Sequence, residues 1–287
     1  MSVALEALDA AWMRAHPLPP PGDGGKEARG RVLVVGGGVE LTGAAMLAGV
    51  AALRAGAGKL QVVVAQAAVA TLSVALPEAR VLALPEAAQD RSADRAVAMI
   101  VEHATRCDAL LIGPGMMDDG EGLAAALLAQ ESSRAIVLDA GALEAAPACP
   151  SRPGLVLTPN AGEMARLLDW PKSRIESDLL AAGQEAAARF GAVVVAKGAI
   201  THVVGPDGRA GRFAGGGPGL GVSGSGDVLG GLITGLLARG APPFEAAGWG
   251  VFLHGEAGAR LAGRIGKLGY LAREIADEAP SILSGYD

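Results

Sequence analysis

The stretch Gly215-Gly216-Gly217-Pro218-Gly219-Leu220-Gly221-Val222-Ser223-Gly224-Ser225-Gly226-Asp227 runs directly into Val228-Leu229-Gly230-Gly231-Leu232-Ile233. A glycine-rich loop therefore enters a strongly apolar helix. The first-turn N–H groups of such a helix have no intrahelical acceptors, and small residues ahead of it let an anion reach them. Gly224, Ser225 and Gly226 form a cradle suited to phosphate, reinforced by the positive end of the helix dipole. Asp227 follows, either as a cap of the helix or as the acceptor of a proton from a hydroxyl meeting that phosphate. The dipole is expected to keep this carboxylate ionised, a ready acceptor though a weak base. Gly-rich loops are common, so the loop alone leaves both roles open.

On either side of this loop, short apolar runs alternate with Ala-rich helical stretches. Strands are expected at Arg31–Val35, Leu60–Val64, Ala109–Ile112, Ala135–Asp139, Leu155–Leu157 and Val193–Ala196. Their Val/Ile/Leu runs lack polar alternation, as befits strands covered on both faces. Helices are expected at Thr42–Ala55, Ala93–Thr105, Gly122–Ser132 and Leu179–Phe190, with Thr42 and Ser177 as N-caps. Near the end, His202–Val204 and Gly211–Phe213 flank Pro206-Asp207-Gly208, a hairpin signal. Helices over Asp227–Arg239, Phe244–Ala262 and Tyr270–Ser284 complete the pattern. The β-α rhythm predicts a mostly parallel sheet with helices on both sides. Residues 1–30 read as a helix over Val3–Arg14 and an irregular, Pro-rich lead-in, and 31–287 as one domain.

In such a sheet, ligands bind beyond the carboxyl ends of the strands. Gly36-Gly37-Gly38, Gly113-Pro114-Gly115, Asp139, Thr158-Pro159-Asn160 and Lys197-Gly198 all fall there. Any one is explained by a turn; five on one rim are less easily dismissed.

Composition narrows the function classes. With 51% hydrophobic and 19% charged residues in 287, the chain has ample core and no mark of global disorder. Glycine, at 43 residues, is about twice its usual ~7% share and follows no collagen period. A net charge of −6, without basic patches or interleaved aromatics, argues against nucleic-acid and anionic-membrane partners. Cys107 and Cys149 match no zinc spacing and read as buried thiols of a reducing cytoplasm. Glu6 and Asp9 interrupt any secretory signal, and the uncharged Leu60–Pro77 stretch carries polar residues and reads as a strand entering a helix.

The Gly-x-Gly-Asp at a helix start resembles the ribokinase-like superfamily. More narrowly, seven ordered blocks from about Arg31 to Ile282 resemble the ADP- or ATP-dependent NAD(P)H-hydrate dehydratases. They are Leu41–Ala48 with Arg54–Gly58, Gly113–Gly115, Leu138–Leu143, Leu157–Pro159 with Gly162–Met164, Lys197–Thr201, Ser223–Asp227 and Leu253–Gly255. The resemblance implies a three-layer α/β/α sandwich without a separate lid domain. It also implies repair of hydrated NADH or NADPH, in which ADP or ATP with Mg²⁺ phosphorylates the added hydroxyl and phosphate elimination restores the double bond.

By matching position, Asp227 would be the base and would meet the substrate. Gly224, Ser225 and Gly226, with Lys197, Gly198, Ala199, Ile200 and Thr201, would contact the nucleotide. Ala44, Gly115 and Asn160 would contact the dinucleotide, and Glu163 would help hold Mg²⁺ through water. Blander readings stand beside these: a solvated Lys197, a tight turn at Gly115, a helix-capping Glu163, a turn-capping Asp139 and a packed His254. The family's usual His-Pro is replaced here by Asn160-Ala161, giving the Asn-x-x-Glu of vitamin and sugar kinases, a competing activity; a nucleotide sensor is the non-enzymatic one. The resemblance further implies a homo-oligomer, with the tetramer of related bacterial enzymes as its form, and epimerisation by another chain or spontaneously, since about thirty residues ahead of the first strand are too few for a domain.

Overall fold

The structure is a computed structural model that describes residues 5–20, 24–84, 92–116, 120–130, 134–148 and 152–286. Cys149 and Ser132 lie outside them. Among the described residues, ten strands form one sheet: β1 (Leu5–Ala7), β2 (Arg31–Val35), β3 (Lys59–Ala65), β4 (Ala79–Leu84), β5 (Ala109–Ile112), β6 (Ala135–Leu138), β7 (Leu155–Leu157), β8 (Val193–Ala196), β9 (Thr201–Val204) and β10 (Ala210–Phe213). Their order is β1-β10-β9-β8-β7-β6-β5-β2-β3-β4. Pairing is antiparallel only for β8 with β9 and β9 with β10, where the Pro206-Asp207-Gly208 turn folds the chain back. All other neighbours are parallel, with Val32 opposite Leu60 on one side and Ala109 on the other.

The apolar strand runs follow from this architecture. Val32 and Val34 enter the core on one face of the sheet, Leu33 and Val35 the core on the other, and none is more than 1% exposed. Twelve helices cover the described parts. The first six are α1 (Ala10–Ala15), α2 (Gly25–Ala28), α3 (Thr42–Arg54), α4 (Val69–Ala75), α5 (Ser92–Ala104) and α6 (Gly120–Gln130). The rest are α7 (Ala161–Leu168), α8 (Lys172–Ser177), α9 (Leu179–Phe190), α10 (Ser225–Ala238), α11 (Pro243–Arg264) and α12 (Ala272–Leu283). Helices α3, α10, α11 and α12 share one core, and α5, α6, α7 and α9 the other. Helix α10 is buried along nearly its whole length. Gly231 lets it cross α3, since a Cβ there would stand 2.1 Å from the Ala48 carbonyl oxygen. Among the described residues no helix is long and apolar enough to cross a membrane.

Three local expectations are corrected. The helix expected over Val3–Arg14 begins only at Ala10; Leu5–Ala7 instead adds β1 beside β10. Asp9 stops helical continuity there, because its carboxylate accepts from the N–H groups of Ala11 and Trp12 and fixes the helix start. Helix α9 is capped not by Ser177 but by Asp178, which accepts from Ala181 N, while the Ser177 hydroxyl donates to Arg174 O. Thr42 is already inside α3 and its hydroxyl donates back to Gly38 O. Strand β4 and helix α8 had no strong sequence signal.

Candidate active site

A cavity of about 890 Å³ opens at the carboxyl ends of β6, β7 and β8, where the Gly215–Asp227 loop comes over the sheet. Its polar side is built from strand ends. Asp139 directly follows β6 and is 3% exposed. The Thr158 hydroxyl, just past β7, donates to Asp139 Oδ1 at 2.7 Å. Lys197, just past β8, donates its main-chain N–H to Pro159 O and its ammonium to Asp139 Oδ1 at 3.1 Å. The ammonium also lies 3.8 Å from Glu163 Oε2. Ala140, beside Asp139 and lining the cavity, holds a left-handed backbone (φ 49°), a conformation that L residues seldom adopt away from functional turns.

Asn160 and Glu163 start α7 as a reciprocal cap. Asn160 Oδ1 accepts from the N–H groups of Gly162 and Glu163, and Glu163 Oε2 accepts from Asn160 N at 2.7 Å. The helix-end role of Glu163 is thus present in the geometry, and both side chains still line the cavity.

On the opposite side lies the start of α10. Gly224 precedes it in the left-handed conformation (φ 89°), which a glycine adopts without strain. Ser225 N donates to Val222 O, and Val228 N to Gly224 O. Between them, the N–H groups of Gly226 and Asp227 have no partner among the described residues. A Cβ at Gly226 would stand 3.4 Å from Lys197 Nζ, so the helix start and the ammonium face each other across a short gap. These groups are the donors an anionic ligand needs.

Asp227 makes no capping hydrogen bond; the position ahead of the helix is Gly224, without a side chain to cap. The expectation that the dipole leaves this carboxylate a weak base is also corrected. Burial, and after it the nearby Asp139 carboxylate, push its pKa up to about 6, against a smaller opposing pull from Lys197. A base poised near neutrality is better matched to proton transfer than an ordinary aspartate. Burial works against the Lys197 ammonium, but the carboxylates of Asp139, Glu163 and Asp227 outweigh it and hold its pKa above the ordinary lysine value. Lys197 is therefore a charged, anchored group rather than a solvated strand-end lysine.

The rest of the wall is apolar: Phe213, Leu220, Val222, Leu229 and Val251. Of the residues singled out in the sequence, Asn160, Glu163, Lys197, Gly198, Ala199, Thr201, Ser225, Gly226 and Asp227 line one cavity. Ile200 sits on the rim between β8 and β9 at 37% exposure, and Gly224 packs towards Leu47 and Ala272 behind the helix start. Ala44 and Gly115 stand beside each other at the ends of β2 and β5, outside the cavity lining, with the Gly36–Gly38 loop hydrogen-bonded to Pro114 and Gly115. His254 is a residue that sequence reasoning set aside: its ring reaches Ser225. Its place in the Leu253-His254-Gly255 block was the available signal.

For Mg²⁺ the donor set is informative. Among the described residues no three of His, Cys, Asp and Glu converge on one point to form a protein cage. A few carboxylates beside a phosphate cradle fit an ion that keeps its waters and is shared with phosphate oxygens, with Glu163 and Asp139 nearest to hand.

Comparison with known proteins gives a consistent picture. Residues 32–281 match the family model described as NAD(P)H-hydrate dehydratase. An ADP-dependent (S)-NAD(P)H-hydrate dehydratase of Xanthomonas campestris is 48% identical over 97% of this chain and 96% of its own. A bifunctional NAD(P)H-hydrate repair enzyme of Moorella thermoacetica is 38% identical over 96% of this chain, which spans only 53% of that protein. Among solved structures, an ADP/ATP-dependent NAD(P)H-hydrate dehydratase of Bacillus subtilis co-crystallised with ATP and Mg²⁺ superimposes with a TM-score of 0.81, at 25% identity, over 99% of both chains.

Proposed function

Since this chain belongs to the NAD(P)H-hydrate dehydratase family, we propose that the cavity binds ADP or ATP and returns hydrated NADH or NADPH to the reduced dinucleotide. The observation that carries this reading is a carboxyl pushed up to about 6 bordering the same cavity as two unpaired helix-start amides and an anchored lysine. The nucleotide supplies the phosphoryl group that turns the added hydroxyl into a leaving group, with Mg²⁺ offsetting phosphate charge.

Asp227 takes the proton of the substrate hydroxyl as its oxygen bonds to the terminal phosphorus and the bond from that phosphorus to the departing nucleotide breaks. The amides of Gly226 and Asp227 hold the phosphoryl oxygens, and Lys197 faces them with a charge that does not titrate near neutrality. Lys197, Gly198, Ala199, Ile200 and Thr201, with Gly224, Ser225 and Gly226, form the nucleotide side. Asn160, Ala44 and Gly115 form the dinucleotide side, and Glu163 orients hydrated Mg²⁺. Loss of phosphate from the ring carbon, with a proton from its neighbour, then restores the double bond.

The Xanthomonas relative, named for the S hydrate and matched over nearly its full length, supports the same configuration here, with an epimerase on another chain converting the other hydrate. A cytoplasmic homo-oligomer completes the reading. The deciding experiment incubates hydrated NADH with the protein, ADP or ATP and Mg²⁺, and follows recovery of the reduced-nicotinamide absorbance. Phosphorylation of a vitamin or sugar without such recovery overturns the proposal in favour of a kinase.

A further inference from the structure

His254 lies in α11, lines the cavity, and hydrogen-bonds to Ser225 of α10 through Nε2. Its Nε2 is 3.0 Å from the Ser225 carbonyl oxygen and 2.8 Å from Ser225 Oγ. A carbonyl oxygen only accepts, so Nε2 must carry the hydrogen. Were the hydrogen on Nδ1 instead, two lone pairs would face each other across 3.0 Å. With Nε2 as donor, Ser225 Oγ shares the same hydrogen as an acceptor, and its own hydroxyl hydrogen is not used by the histidine. The described residues offer that hydrogen no other acceptor. Ser225 is 5% exposed and lines the cavity one residue before the unpaired Gly226 and Asp227 amides.

We infer that His254 is a positioning residue, a neutral donor that locks Ser225 so that the serine hydroxyl becomes a third donor to an anion held at the start of α10. The inference rests on reading this cavity as the nucleotide site. Burial, and after it the neighbouring Lys197 charge against a raising bond to the Ser225 carbonyl, lower the imidazole pKa to about 4 and keep it in the neutral form the role requires. A cation here would add a second positive centre beside Lys197. A neutral ring instead sets direction, fixing one rotamer of a side chain whose oxygen would otherwise rotate.

The test combines spectroscopy with binding. In ¹⁵N-histidine spectra of the whole chain, His254 should show a pyrrole-type Nε2 and a pyridine-type Nδ1 between about pH 6 and 8, without titrating. By calorimetry with ADP, and with inorganic pyrophosphate as the bare anion, H254F and S225A should each weaken binding roughly 10- to 100-fold, the worth of one hydrogen bond to a charged group. Because both act through one donor, the double variant should bind no more weakly than the worse single variant. H254Q, which keeps an N–H at that end, should recover most of the loss. A hydrogen found on Nδ1, unchanged affinity in S225A, or losses that multiply in the double variant overturn the inference, and the first two stand even if H254F fails to fold. Turnover of hydrated NADH by the unaltered protein is measured alongside. Its absence with the binding pattern intact refutes the dehydratase reading and leaves the role of His254 in place.

Discussion

Replacing Asp227 by asparagine should damage activity and improve stability, and the structure sets the size of both effects. The carboxyl is moved from the usual 3.8 to about 6 mainly by burial. A raised carboxyl pKa means that the folded state prefers the proton. Its contribution is favourable below 3.8 and is lost as pH rises through about 6, costing about 3 kcal/mol at pH 8. D227N removes that cost, while burial of the new amide takes back about 1–2 kcal/mol of it. A net gain of about 1–2 kcal/mol corresponds to a Tm rise of roughly 2–8 °C for a chain of this size. At pH 5 the linked cost falls to about half, which the buried amide offsets, and the gain should nearly vanish.

Turnover should move the other way, falling about 10²–10⁴-fold with loss of the positioned base. In the unaltered protein, kcat/KM should rise with pH through about 6 and then level, because the base acts in its ionised form. ADP should bind D227N as tightly or more so, a negative charge beside the phosphates having gone. The assays are recovery of reduced-nicotinamide absorbance, nucleotide calorimetry, and melts at both pH values. Near-normal turnover, or a Tm lowered at pH 8, would refute the reasoning, since only a structural group loses stability on removal while leaving chemistry intact.

Lys197→Met leaves Asp139, already 3% exposed, without its counter-charge, and should cost up to about 3 kcal/mol in urea unfolding and at least tenfold in ADP affinity; unchanged values on both counts would return Lys197 to a surface role. Glu163→Gln keeps an acceptor for Asn160 N and should leave the melting point nearly unchanged while raising the Mg²⁺ concentration needed for turnover. An unaltered magnesium titration would confine Glu163 to its helix cap. Gly231→Ala drives a methyl to 2.1 Å from Ala48 O and should destabilise by about 1–3 kcal/mol, read as a lower urea midpoint; no shift would mean that α3 and α10 separate more easily than their packing indicates.

The alternation of strands and helices, and the rim on which the site lies, were legible in the chain's own residues. Unbroken Val/Ile/Leu runs such as Arg31–Val35 have one economical fate, a parallel strand buried on both faces, and the glycines and strand-end polar residues mark where each crossover turns. The Gly224–Asp227 cradle was legible for the same reason: an anion site made of main-chain N–H groups needs only small residues ahead of an apolar helix. Features that depend on partners distant in the chain come from the folded arrangement. Leu5–Ala7 is a strand only because β10 presents an open edge, and β4 only because β3 does. The bond of Lys197 to Asp139 spans 58 residues, and the contact of His254 with Ser225 spans 29. The basicity of Asp227 belongs to the same class. Local sequence offers a helix dipole that favours the charge, and only the folded surroundings supply the burial and neighbouring carboxylate that outweigh it.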